Sequence, residues 1–145
     1  VLAELERKYR GALSQIGNLR ADKEREARGH ELWPKALKLF ELWRGGTHKK
    51  QARWTADRFW LIHPYLAQDN GERECRDAIL GLLSSDYHMK RGAYENRKGP
   101  RYDEFERPFK SQGDFERFRE MAPKPHSETV AFFAWLDSLP GGEYL

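Results

Sequence analysis

Leu2, Leu5, Tyr9, Ala12, Ile16 and Leu19 recur in strict alternating steps of three and four, and this spacing constrains the chain more than any other feature. Side chains repeating every 3.5 residues lie on one narrow seam of an α-helix, and such a seam finds no favourable place on a strand. With Leu2 at position a, the flanking e and g positions include Glu6, Lys8, Gln15, Arg20 and Asp22. Those polar flanks suit a helix pressed against another helix and wetted on either side. Past Leu19 the same frame gives Lys23, Glu26 and His30, so the seam turns polar. Gly11 and Gly17 each cost about 1 kcal/mol relative to Ala. The expectation is a coiled-coil oligomerisation helix over residues 1–30, a homodimer by default, although Ile16 is the only β-branched a residue and specifies the oligomer number weakly. The alternative is an amphipathic helix folded back on its own domain.

The remaining chain also reads as helical, and no segment alternates as a strand would. Gly29 is placed to end the first helix with a left-handed cap, and Pro34 suits the first turn of the next. Leu37, Phe40, Leu42 and Trp43 form an apolar face that Gly45-Gly46 is expected to stop. Thr55 is a good N-cap with Asp57 in the first turn, and Pro64 is expected to break or bend that helix early. An Asp69-Asn70-Gly71 turn leads to a helix with Cys75, Ala78, Ile79, Leu82 and Leu83 inward. A short helix from about Tyr102, interrupted at Pro108, and a Ser111-x-x-Asp114 capping box before Phe115 and Phe118 follow. Proline-stiffened "APKPH" then leads to a helix carrying Val130, Phe132, Phe133, Trp135, Leu136 and Leu139. The fold class is therefore all-α. A helical bundle over 31–122 follows the coiled coil, and 123–145 supply a linker and an apolar C-terminal helix.

A net charge of +3 hides a separation. Arg44, Lys49, Lys50 and Arg53 share residues 44–53 with no acid, and Lys90, Arg91, Arg97, Lys98 and Arg101 share 88–101 with Glu95 alone. The rest of the chain is net acidic. Basic charge gathered into two loops indicates an anionic partner better than an average does. Tyr94 is placed to stack on an unpaired base, as is Trp54 if exposed, and His48 and Asn96 to hydrogen-bond backbone or bases. For Trp54 the competing role is a hydrophobic staple, since it precedes the N-cap Thr55. The outward face of the helix after Gly71 (Glu72, Arg73, Glu74, Arg76, Asp77) mixes both signs and makes a poor major-groove reader.

Catalytic signals are weak. The five histidines are scattered, without an HExxH or HxxxH pair, and Cys75 is alone, so neither a zinc site nor an internal disulfide is expected. Phosphate-loop and dinucleotide motifs are missing. "DYHMKRGAYEN" offers His and Asn but lacks the paired histidines of a His-Asn-His nuclease. Asp86, Asp103 and Glu104 are possible Mg²⁺ ligands, but helix capping claims such carboxylates more often. The expectation is no enzyme, no metal and no cofactor. The opening "VLAELERKYR" has no signal-peptide core, no run suits a membrane span, and a lone cysteine fits a reducing cytoplasm.

Residues 37–122 carry a pattern that resembles a helical domain of bacteriophage proteins associated with replication or helix-turn-helix DNA binding. "FELW" precedes "HKKQARWTADR"; "AILGLLSSDYHMKRG" runs into a basic Gly-rich loop; "RYDEFERPF" and then Phe115 to Phe118 close the domain. With the heptad segment in front, the chain is especially similar to small coiled-coil-containing actinobacteriophage proteins of unassigned function. Related replication proteins carry a separate DNA-binding module where the heptads stand here.

Together these readings give a non-enzymatic, low-specificity DNA-binding protein in phage replication or gene regulation, its two basic loops displayed by a coiled-coil dimer in the host cytoplasm. The competing reading is an adaptor that binds a host or phage protein through the coiled coil and through Phe132 and Trp135 of the last helix.

Overall fold

The structure, a computed structural model, describes residues 2–123 and Trp135. Within them the fold is all-α, with six helices and no strand: α1 (Leu2–Gly29), α2 (Trp33–Thr47), α3 (Ala56–Leu66), α4 (Gly71–Ser84), α5 (Asp86–Met89) and α6 (Gln112–Glu120). Short 3-10 turns lie at Gly92–Tyr94 and Arg107–Phe109. No helix is long and apolar enough to cross a membrane, among the described residues.

α4 is the axis of the bundle. Cys75, Ala78, Ile79, Leu82 and Leu83 are buried along it as their spacing predicts, and Leu80 and Gly81 are buried too, so its C-terminal half is enclosed on more than one side. Around it Phe40, Trp43, Phe59, Phe105, Phe109, Phe115 and Phe118 are almost fully buried. Rings of this size dominate the apolar surface removed from water. Two glycines set how closely helices approach α4. A Cβ on Gly71 would sit 2.1 Å from Leu66 O, and one on Gly81 would sit 1.7 Å from Phe118 O. The α3–α4 turn and the α4–α6 crossing thus both require the bare backbone.

Several local signals act as expected. Pro34 lies in the first turn of α2. Thr55 Oγ1 accepts from Arg58 N at 3.2 Å, and Ser111 Oγ accepts from Asp114 N at 3.1 Å. Trp54 packs on Phe59, four positions into α3 from the cap, with ring centroids 6.4 Å apart, which is the staple arrangement.

Others differ, each for a visible reason. Gly29 is not left-handed; the chain reverses through a turn at His30, whose Nδ1 accepts from Leu32 N at 3.0 Å. α2 does not stop at Gly45-Gly46 but runs to Thr47, and exposed His48 takes the left-handed cap at φ 59°. Gly46 instead lets α2 lie against Leu83, 2.5 Å from where its Cβ would stand. Pro64 sits inside α3 without ending it before Leu66. No helix starts at Tyr102: the backbone there is drawn aside, because Trp43 Nε1 donates to Asp103 O at 2.7 Å and the Asp103 side chain is fully buried.

Among the described residues, α1 docks on the bundle only by its C-terminal end. Ala27 is fully buried, Trp60 Nε1 donates to Lys23 O at 3.1 Å, and Lys23 Nζ lies 3.3 Å from Asp57 Oδ1. Leu2, Leu5, Tyr9, Ile16 and Leu19 expose between 47% and 77% of their surface, and Ala12 is exposed as well. The seam does not fold back on the bundle.

Candidate nucleic-acid interface

The two basic loops adjoin. Lys49, after α2, reaches the buried Asp103 (Nζ–Oδ1 2.7 Å), and Arg101 stands 2.7 Å from the other carboxylate oxygen. Arg101 also donates to Thr47 O at 2.8 Å, tying the second loop to the end of α2. One carboxylate, with no exposed surface, holds a cation from each loop. Asp103 thus caps no helix. It is a counter-charge, and two cations around it offset the cost of burying it.

This anchoring divides the basic residues. Arg44 pairs with Glu41, and Arg91 pairs with Asp86 at 2.9 Å while also capping Leu83 O at the end of α4. Lys90, in the left-handed conformation, donates to Gly99 O at 2.6 Å. Arg97 is clamped between the Tyr87 and Tyr102 rings, 4.7 and 4.4 Å from their centroids, and donates to the carbonyls of Tyr87, Lys98 and Pro100. These side chains build the loops. Lys50, Arg53 and Lys98 are exposed and make no ion pair among the described residues, and His48 and Asn96 are exposed beside them in sequence. Tyr94 is exposed and meets Tyr87 edge-on at 5.3 Å. Trp54 is not a stacking platform; it packs among Trp33, Phe40, Phe59 and Phe105.

The loops are backed by polar contacts that hold them in place. His88 Nδ1 lies 2.6 Å from Ser85 Oγ, the N-cap of α5, and its ring packs on Phe118 at 4.9 Å. Burial, followed by the charges of Arg107, Arg117 and Arg97, keeps His88 below the ordinary imidazole range. Burial, then Glu74, pushes the Cys75 thiol up, so that it stays protonated as a core side chain. No group of three His, Cys, Asp or Glu residues is arranged to hold a metal ion among the described residues.

A cleft of mixed charge, with Glu31 and Glu72 among its basic residues, carries no signal in the sequence. His30, Lys35, Lys38, His63, Glu72 and Arg73 border this open cleft of about 810 Å³. Its residues come from the turn after α1 and from α2, α3 and α4, so no local motif reveals it. Of the adaptor residues, Phe132 lies outside the described residues, and Trp135 exposes 46% of its surface.

No protein-family model, curated protein or solved structure matches this chain.

Proposed function

We propose that this is a non-enzymatic, low-specificity nucleic-acid-binding protein, with a role in phage replication or gene regulation. The observation that carries the reading is the pinning of both basic loops to Asp103, which holds them side by side before any ligand arrives. Preorganised cations bind phosphate without first losing loop entropy. Lys50, Arg53 and Lys98 contact phosphates, and Tyr94 offers a ring to an unpaired base. A dimer through α1 presents two such surfaces, and effective concentration then multiplies a weak contact.

The exposed apolar stripe of α1 favours a second reading, an adaptor that captures another protein, in which the basic loops steer association. DNA binding separates the two. Fluorescence anisotropy with duplex and single-stranded DNA at about 50 and 200 mM salt is the measurement, with Lys50→Ala/Arg53→Ala/Lys98→Ala beside the wild type. These three changes remove no ion pair among the described residues, and the fold should be kept. Affinity should fall with salt, and the variant should lose a slope of about one for each phosphate contact removed. No binding to either DNA at the lower salt refutes the nucleic-acid reading and leaves the adaptor.

A further inference from the structure

We infer that α1 pairs with the α1 of a second copy in the antiparallel sense, in the register that sets Tyr9 against the partner's Leu19 and Ala12 against the partner's Ile16. The inference deepens the proposed two-patch arrangement and depends on the nucleic-acid reading only for its consequence, not for its geometry.

The apolar stripe calls for a cover. Leu2, Leu5, Tyr9, Ile16 and Leu19 all stand in solvent, and Leu13, at a flanking e position, is half exposed beside them. Charge selects the occupant and its direction. In an antiparallel pair, e positions face e positions and g positions face g positions. In the stated register Glu6 meets the partner's Arg20, Lys8 meets the partner's Asp22, Leu13 meets the partner's Leu13 and Gln15 meets the partner's Gln15. Two-fold symmetry makes each charged pair twice. Every flanking charge in this span finds an opposite, and the one apolar flank finds itself. Glu6, Lys8 and Arg20 make no ion pair within the described residues, while Asp22 bonds only to exposed Arg25, at 3.2 Å. The core layers also complement one another in size, with Ile over Ala.

A parallel pair would cover Leu2 and Leu5 with their own counterparts, but it does worse in charge. It sets Lys8 beside Leu13 and Gln15 beside Arg20, with no ion pair. It also stacks Lys23 on Lys23 and Glu26 on Glu26, and like charges so placed repel.

The fold supplies an independent argument. From Lys23 onward the chain's own α3 packs beside the seam, touching Lys23 and His30 while Glu26 stays exposed. Lys23 is bonded to Asp57, Trp60 caps the Lys23 carbonyl, and His30 packs against Phe59 (5.3 Å) and His63 (4.8 Å). Parallel helices bring two copies of α3 to the same end of the same seam. Antiparallel helices place them at opposite ends, and of each partner's helix only the first turn, with Leu2 beside Glu26, reaches past Lys23. The partner's Leu5 then rests on the aliphatic stem of Lys23, whose ammonium turns to Asp57. The consequence is a rod with a bundle at each end, the bundles separated by about 30 Å of paired helix. Two basic surfaces held that far apart suit two DNA segments rather than one groove.

The test uses the full chain without DNA. Sedimentation velocity should show a dimer. Single cysteines at Leu13→Cys and Leu5→Cys are then treated with a short bis-maleimide, with the wild type, whose Cys75 is buried, as the blank. Leu13→Cys should cross-link to itself and Leu5→Cys should not, since Leu5 faces its own counterpart only in a parallel pair. Glu6→Arg should weaken the dimer about tenfold, and Glu6→Arg/Arg20→Glu should restore it to within about threefold. Cross-linking of Leu5→Cys alone, or a charge swap that fails to restore, overturns the orientation. A monomer at about 100 µM overturns the pairing itself. DNA binding can fail while the dimer stands, so the two proposals are judged separately.

Discussion

At the scale of single residues, Asp103 does the most. It lies at no helix terminus, yet its side chain collects Lys49 and Arg101 and its carbonyl takes the Trp43 indole. The energetics are asymmetric. Lys49 and Arg101 keep 38% and 36% of their side-chain surface in water and can resolvate if the acid is lost; Asp103, at 1%, cannot if they are. Asp103→Asn should therefore cost about 2 kcal/mol, whereas Lys49→Ala/Arg101→Ala, which strands the carboxylate, should cost about 3–5 kcal/mol. Urea unfolding followed by circular dichroism measures both. Equal losses would mean that the carboxylate is solvated after all. The same reasoning marks Lys49 and Arg97 as poor targets for a DNA-binding test, because removing either disturbs the loop it anchors.

At the scale of elements, the glycines divide by surroundings rather than by sequence. Gly81 sits mid-helix in α4 with Phe118 O where a Cβ would go, while Gly11 and Gly17 sit mid-helix in α1 with nothing within 4 Å. Gly81→Ala must push α6 away from α4 and should destabilise the bundle by about 3 kcal/mol. Gly11→Ala and Gly17→Ala should each stabilise α1 by about 1 kcal/mol. Thermal melts would show the first as a lower midpoint, and the helical signal and dimer strength would rise in the second pair. A neutral Gly81→Ala would contradict the close α4–α6 crossing. The apolar pattern foretold which faces of α4 and α6 lie inside, because burial tracks periodicity. It did not foretell how closely they cross, because a missing side chain carries no pattern.

At the scale of the whole molecule, two histidines link the fold to pH. Burial and then the charge of His30 lower His63, and burial and then the neighbouring arginines lower His88, both from an ordinary value of 6.5. The unfolded chain takes up those protons near pH 6.5 while the folded chain resists them. Stability is therefore full above that value and falls as pH drops through it, levelling off once the folded chain also protonates. Melting temperatures at pH 7.5 and 5.5 should differ in that direction, and His63→Gln/His88→Gln should flatten the difference. An unchanged slope in the double variant would assign the pH dependence to other groups.

The sequence by itself determined the all-α class, the Thr55 and Ser111 caps, the inward face of α4 and the amphipathic seam of α1. Each of these depends on residues within a turn or two of one another, where periodicity and capping chemistry act directly. Only the tertiary structure decided that α1 leaves its seam in solvent, that the two basic loops meet, and which of their cations are spent on internal partners. Those outcomes rest on contacts between residues far apart in the chain, Lys49 with Asp103 and Lys23 with Asp57 among them. A count of charges along a loop cannot distinguish a lysine bonded to a buried acid from one that faces water; the distinction appears only when the chain folds and the acid arrives from elsewhere.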